Sequence, residues 1–172
     1  PSNPVHIADM VDPNGHNHAA FPFKSQSTEK FYIVAGDEWF PWRYPNKPRP
    51  YQPRGGFHFL DFTDIDHPKE EAVYTITEAG SHNHWIQGDT LYAAYYNGGL
   101  RIVDISGDLL GNLYSQGREI AFFLTGHPDG HIKNAPNVWG TIPYKGLVFF
   151  TDMYNGLYCV RLVEQDKKRS TP

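Results

Sequence analysis

Nine histidines stand among the 172 residues, and they are unevenly placed. His16-Asn17-His18 and His82-Asn83-His84 repeat one tripeptide, and His127 and His131 lie in Gly126-His127-Pro128-Asp129-Gly130-His131. Neutral imidazole is a ligand for Zn, Cu, Fe and Ni. Residues i and i+2 of an extended strand share a face, so each tripeptide would aim two imidazoles the same way. His16, His18, His82, His84 and His131 are therefore candidate ligands for a transition metal ion (Cu, Zn or Fe) in a metal-dependent enzyme, an oxidoreductase in one form of this reading. The competing reading is architectural: a motif that recurs with a repeat supplies the same hydrogen bonds to each copy. The third copy, Pro136-Asn137-Val138, has neither histidine, which weakens any symmetric ring of ligands. His6, His58 and His67 fall on outer strands or loops and read as surface or edge residues.

Other chemistry is sparse. There is no Gly-rich phosphate loop, nucleophile elbow or His-Glu-x-x-His motif, so the catalytic residues stay unassigned. Asp61, Asp104 and Asp152 invite a paired-carboxylate reading, but Asp61 and Asp104 occupy equivalent places at the ends of third strands and Asp152 precedes the Asn155-Gly156 turn, where aspartate accepts hydrogen bonds from the adjoining turn. Trp39-Phe40-Pro41-Trp42-Arg43-Tyr44 combines rigid aromatics with arginine. That composition suits a contact surface, which makes Trp39, Trp42, Arg43 and Tyr44 the candidate partner-binding residues. A net charge of −4 with no basic stripe excludes the electrostatic footprint of nucleic-acid binding. The single cysteine, Cys159, lies in an apolar run and is expected to be a buried structural thiol. No apolar run approaches the ~20 residues of a membrane-spanning helix, and no signal peptide is visible.

These residues sit on a repeat. The clearest unit runs from His82-Asn83-His84-Trp85 through Thr90-Leu91-Tyr92-Ala93-Ala94-Tyr95 and Leu100-Arg101-Ile102-Val103-Asp104-Ile105 to Glu119-Ile120-Ala121-Phe122-Phe123. A first copy opens at His16 and a third at Pro136, each with short apolar runs bounded by Gly, Asn, Asp or Pro. The wider spacing of the first pair is taken up by an aromatic and proline-rich insertion at 37–54. The runs are nearly continuous rather than alternating, as expected of strands covered on both faces. Asn97-Gly98 and Asn155-Gly156 read as two-residue type I′ hairpin turns.

The expectation is an all-β chain: a β-propeller of about three four-stranded blades, part of a larger or assembled ring. Residues 1–12 would be the outer strand of a preceding blade, 13–79, 80–125 and 126–163 three blades, and 164–172 a polar tail. That orphan strand implies blades beyond this chain, supplied by the rest of a longer propeller or by copies of a three-blade unit.

Gly99-Leu100-Arg101-Ile102-Val103-Asp104-Ile105-Ser106 resembles the LVIVD repeat, a propeller-forming repeat found mostly in bacterial and archaeal surface or secreted proteins. Phe57-His58-Phe59-Leu60-Asp61-Phe62 is a looser copy, and the stretch from Pro136 to Tyr158 is similar to the last blade of that family. The resemblance implies an extracytoplasmic location (periplasmic, cell-surface or secreted). It also implies a scaffold or protein-interaction role, with a protein partner or the remaining blades as neighbour.

Overall fold

The structure is a computed structural model that describes residues 3–11, 16–40 and 53–163. Among the described residues there are twelve strands and no helix. The first sheet is a meander of β1 (Asn17–Lys24), β2 (Phe31–Asp37), β3 (Phe57–Asp61) and β4 (Lys69–Tyr74). The second is built the same way from β5 (His84–Gln87), β6 (Thr90–Tyr95), β7 (Gly99–Asp104) and, after a connection carrying the two-residue β8 (Gly111–Asn112), β9 (Glu119–Phe123). The third consists of β10 (Val138–Tyr144), β11 (Leu147–Asp152) and β12 (Gly156–Val160). All neighbours pair antiparallel except β8, which leaves the second unit and adds to β4 in parallel. No sheet closes on itself among the described residues.

The central strands of the middle sheet, β6 and β7, are buried on both faces, which explains their unbroken apolar runs. Side chains alternate across a strand. On β7, Val103 joins a cluster with Tyr32, Phe57, Phe59 and Tyr74 of the first sheet, while Leu100 and Ile102 join Val148 and Phe150 of the third. Each such side chain contributes about 1.5–3 kcal/mol through loss of apolar surface from water. The β7–β9 connection fastens the first two sheets further, because Leu109 and Leu113 are fully buried in the first cluster. A two-residue strand has no periodicity to read, so β8 was not foreseeable from the sequence.

The outer sheets keep one open face. On the third, Ile142 (52% exposed), Tyr144 (58%) and Leu157 (72%) point away from the middle sheet. Cys159 lies two residues along β12 from Leu157 and is exposed, against the expectation of a buried thiol. The reason is its place on an edge strand whose apolar run has only one covered face. Residues 3–11 form no strand among the described residues, and Val5, Ile7 and Val11 are exposed.

The hairpin turns also differ from the type I′ expectation. Tyr95 pairs with Gly99 and Asp152 with Gly156, so three residues rather than two intervene. Positive φ falls on Gly99 (79°) and Gly156 (100°), not on the asparagines. A Cβ on Gly99 would lie 2.3 Å from the Phe123 carbonyl oxygen, so only glycine fits there. The asparagines serve instead through their side chains: Asn97 Nδ2 donates to the Glu78 carbonyl at 2.6 Å and Asn155 Nδ2 to that of Ala135 at 2.9 Å.

Candidate functional site

The site lies where the second sheet meets the first on one side and the third on the other, at the start of the first strand and the end of the second strand in the first two sheets. In the first sheet, Asn17 pairs with Asp37, and the next residue, Glu38, donates its backbone N–H to the His16 carbonyl at 2.8 Å. His18, on β1, is thereby set beside Glu38, just past β2. In the second sheet, His82 precedes β5 and donates its backbone N–H to the Ala94 carbonyl at 2.9 Å, which places its ring beside Tyr96, just past β6. The third sheet adds Trp139, whose carbonyl accepts from the Asn83 N–H at 3.3 Å. Ser81 Oγ, donating to the carbonyls of Asp37 (2.8 Å) and Gly56 (3.0 Å), ties the first two sheets at this point.

The side chains converge on the Glu38 carboxylate. His18 Nδ1 is 3.1 Å from Glu38 Oε2, and His82 Nε2 is 3.7 Å from Oε1. The Tyr96 hydroxyl donates to Oε1. Burial and the neighbouring carboxylate push that hydroxyl above its usual range, so it stays a donor at neutral pH. The two imidazole centroids are 4.5 Å apart. His82 Nδ1 lies 2.6 Å from the Trp139 carbonyl oxygen. A carbonyl only accepts, so the proton is on Nδ1 and Nε2 carries the lone pair in the neutral ring. Burial, with the nearby His18, lowers the His82 pKa, although the Trp139 bond opposes this. One nitrogen from each imidazole and one carboxylate oxygen lie within 4.8 Å of one another. His18 (30% exposed) and Glu38 (24%) leave the site open on one side, while His82 (8%) anchors its floor. Such a donor set is chemically competent to hold a cation.

Of the five candidate ligands, the structure brings His18 and His82 together and leaves three elsewhere. His16 has φ 71° and stacks on Trp39 at 5.7 Å. The ladder slips between Asn17 and Ala19, and His82 stands ahead of β5, so neither tripeptide is the regular strand that a shared i, i+2 face requires. His84 faces the core against Phe57 (4.7 Å) and Phe21 (6.0 Å), where burial lowers its pKa to about 4, partly offset by the Val34 backbone. His131 lies beside Tyr154, at 6.2 Å.

Glu38 and Tyr96 were not singled out in the sequence. Both sit one residue past the second strand of their sheet, an equivalence that comparing second-strand exits rather than His-Asn-His openings would have exposed. Of the aromatic insertion, Trp39 is 40% exposed and bridges to Arg54, while Trp42, Arg43 and Tyr44 lie outside the described residues. His58, expected at an edge, is enclosed: its Nε2 is 3.0 Å from Asp37 Oδ2 and its Nδ1 2.6 Å from Glu70 Oε2. The recurring aspartates are turn acceptors, as expected. Asp61 Oδ1 accepts from the Thr63 N–H at 2.8 Å, Asp104 Oδ1 from Ser106 at 2.9 Å, and Asp152 Oδ1 from Tyr154 at 2.8 Å.

No family model matches this chain, and neither a curated protein nor a solved structure does. No helix among the described residues is long and apolar enough to cross a membrane.

Proposed function

We propose that this chain is a portion of an LVIVD-type β-propeller, each sheet being one blade, and that it works as an extracytoplasmic scaffold or interaction module. The observation that carries this reading is the stacking of three successive meanders face to face, with an apolar outer face left on the third. Blades stack this way in a propeller, and a ring closes when each apolar face meets a neighbour. The extracytoplasmic location rests on the Gly99 to Ser106 resemblance. An apolar groove of about 400 Å³ is lined by Trp85 of the second sheet and by Ile142, Phe149 and Leu157 of the third, among others.

Cys159 offers the test, since it is exposed on the strand that carries Leu157. A photo-crosslinker on this thiol is expected to capture a β-rich neighbour, another copy or further blades, in the extracytoplasmic fraction of the source cell. A chain of 19.6 kDa that stays monomeric by light scattering and captures nothing there would defeat the reading.

A further inference from the structure

We propose that His18, Glu38 and His82 bind a divalent first-row transition metal ion, as a two-histidine, one-carboxylate site whose carboxylate is positioned by Tyr96. The inference stands on local geometry and does not depend on the propeller reading.

The chemistry of the donors sets the class of ion. Two imidazoles and one carboxylate without a thiolate fit zinc or ferrous iron, and three protein ligands leave positions for water or a small molecule. The spacing is close to what an ion needs. Donors bound at 2.0–2.1 Å around a tetrahedral ion stand about 3.4 Å apart. His18 Nδ1 is 3.1 Å from Glu38 Oε2 and His82 Nε2 is 3.7 Å from the other oxygen, Oε1, while one donor atom from each of the three residues lies within 4.8 Å of the other two.

Two further contacts point the same way. The Nδ1–H of His82 is committed to the Trp139 carbonyl, so its Nε2 lone pair faces a carboxylate oxygen at 3.7 Å. That separation exceeds hydrogen-bond length, so a shared proton does not account for it. An ion between the two acceptors would engage both. A ligating histidine almost always donates its other N–H to a carbonyl, carboxylate or water, and ligating carboxylates are themselves hydrogen-bonded. Trp139 and Tyr96 fill those two supporting roles. A simple His18–Glu38 ion pair would explain the 3.1 Å contact but leaves the Nε2 lone pair of His82, whose ring the Trp139 carbonyl orients, without a role.

The test uses the tag-free chain stripped with a chelator and titrated with Co²⁺ as a spectroscopic probe, then with Zn²⁺ followed by elemental analysis. One ion per chain is expected, with cobalt d–d bands and a rise in melting temperature, since an ion that binds only the folded state stabilises it. His18→Ala and Glu38→Gln replace partly exposed groups and should still fold. Each should weaken binding at least tenfold, while His131→Ala leaves it unchanged. Absence of cobalt bands and of any zinc-dependent stabilisation in the wild type would overturn the proposal. So would binding that survives both His18→Ala and Glu38→Gln, or that is lost in His131→Ala.

Discussion

The Tyr96 hydroxyl donates to the Glu38 carboxylate across the junction of the first two sheets, joining two residues that each follow the second strand of their own meander. The bond fixes one carboxylate oxygen and leaves the other turned to His18. Tyr96→Phe keeps the buried ring and removes only the donor. It should lower cobalt and zinc affinity about 10–100-fold, the usual cost of losing a ligand's hydrogen-bond partner. The ring contacts with His82 (5.1 Å) and Trp139 (5.8 Å) remain, so circular dichroism should not change. Unaltered affinity would exclude a positioning role for Tyr96.

Asp152 should be a stability hub. It is 3% exposed, and Oδ2 accepts from the Asn137 N–H at 2.7 Å and from Thr125 Oγ1, while Oδ1 accepts from the Tyr154 and Asn155 N–H groups. Each buried donor left unpaired costs about 1–3 kcal/mol. Asp152→Ala is expected to destabilise by at least ~3 kcal/mol in urea unfolding, and Asp152→Asn, which keeps one acceptor oxygen, by less.

Stability should fall on both sides of neutrality, for different groups. Burial alone would lower the His58 pKa, but the hydrogen bond to Glu70 and the charge and hydrogen bond of Asp37 outweigh it and raise it above 6.5. Its contribution is therefore full below 6.5 and is lost as pH rises through the raised value. Asp61 behaves oppositely. Burial would raise its pKa, but the hydrogen bonds from Thr63 and Lys30 lower it below 3.8. The hydrogen bond from Lys69, against the effect of burial and with help from Lys30, likewise holds Glu71 below 4.5. Both contributions are present above those values and are lost as pH falls through the lowered ones. Melting temperature against pH should show both declines. His58→Gln should flatten the alkaline one and spare the acid one.

The two faces of the third sheet should respond differently to truncation. Phe150 is 2% exposed between the second and third sheets, and Phe150→Ala should cost about 3–5 kcal/mol. Leu157 is 72% exposed, so Leu157→Ala in the isolated chain should stay within about 0.5 kcal/mol. A large loss at Leu157 would mean that its face is already covered in solution.

Cys159 should react with a thiol reagent in the native chain, stoichiometrically and without denaturant, because it is exposed. Reaction only after unfolding would place it in the interior that its apolar neighbours suggested.

The sequence by itself determined the all-β character and the strand periods. Thr90–Tyr95, Gly99–Asp104 and Glu119–Phe123 fall where the apolar runs do, because short apolar runs and the turn residues that bound them are local signals. It also located the turn aspartates, because each accepts from a backbone N–H two residues along the chain. Three kinds of fact were decided by the tertiary structure. Burial of Cys159 depended on whether a further sheet covers β12, which no run of residues encodes. The parallel pairing of β8 with β4 joins segments far apart in the chain through two residues. The candidate site required Glu38 and Tyr96 to meet across a sheet junction, while His16 and His84, from the same tripeptides as His18 and His82, turned away. A repeat tells which residues occupy equivalent places. Only the bulge in β1 and the packing of Phe57 against His84 decide which of them face one another.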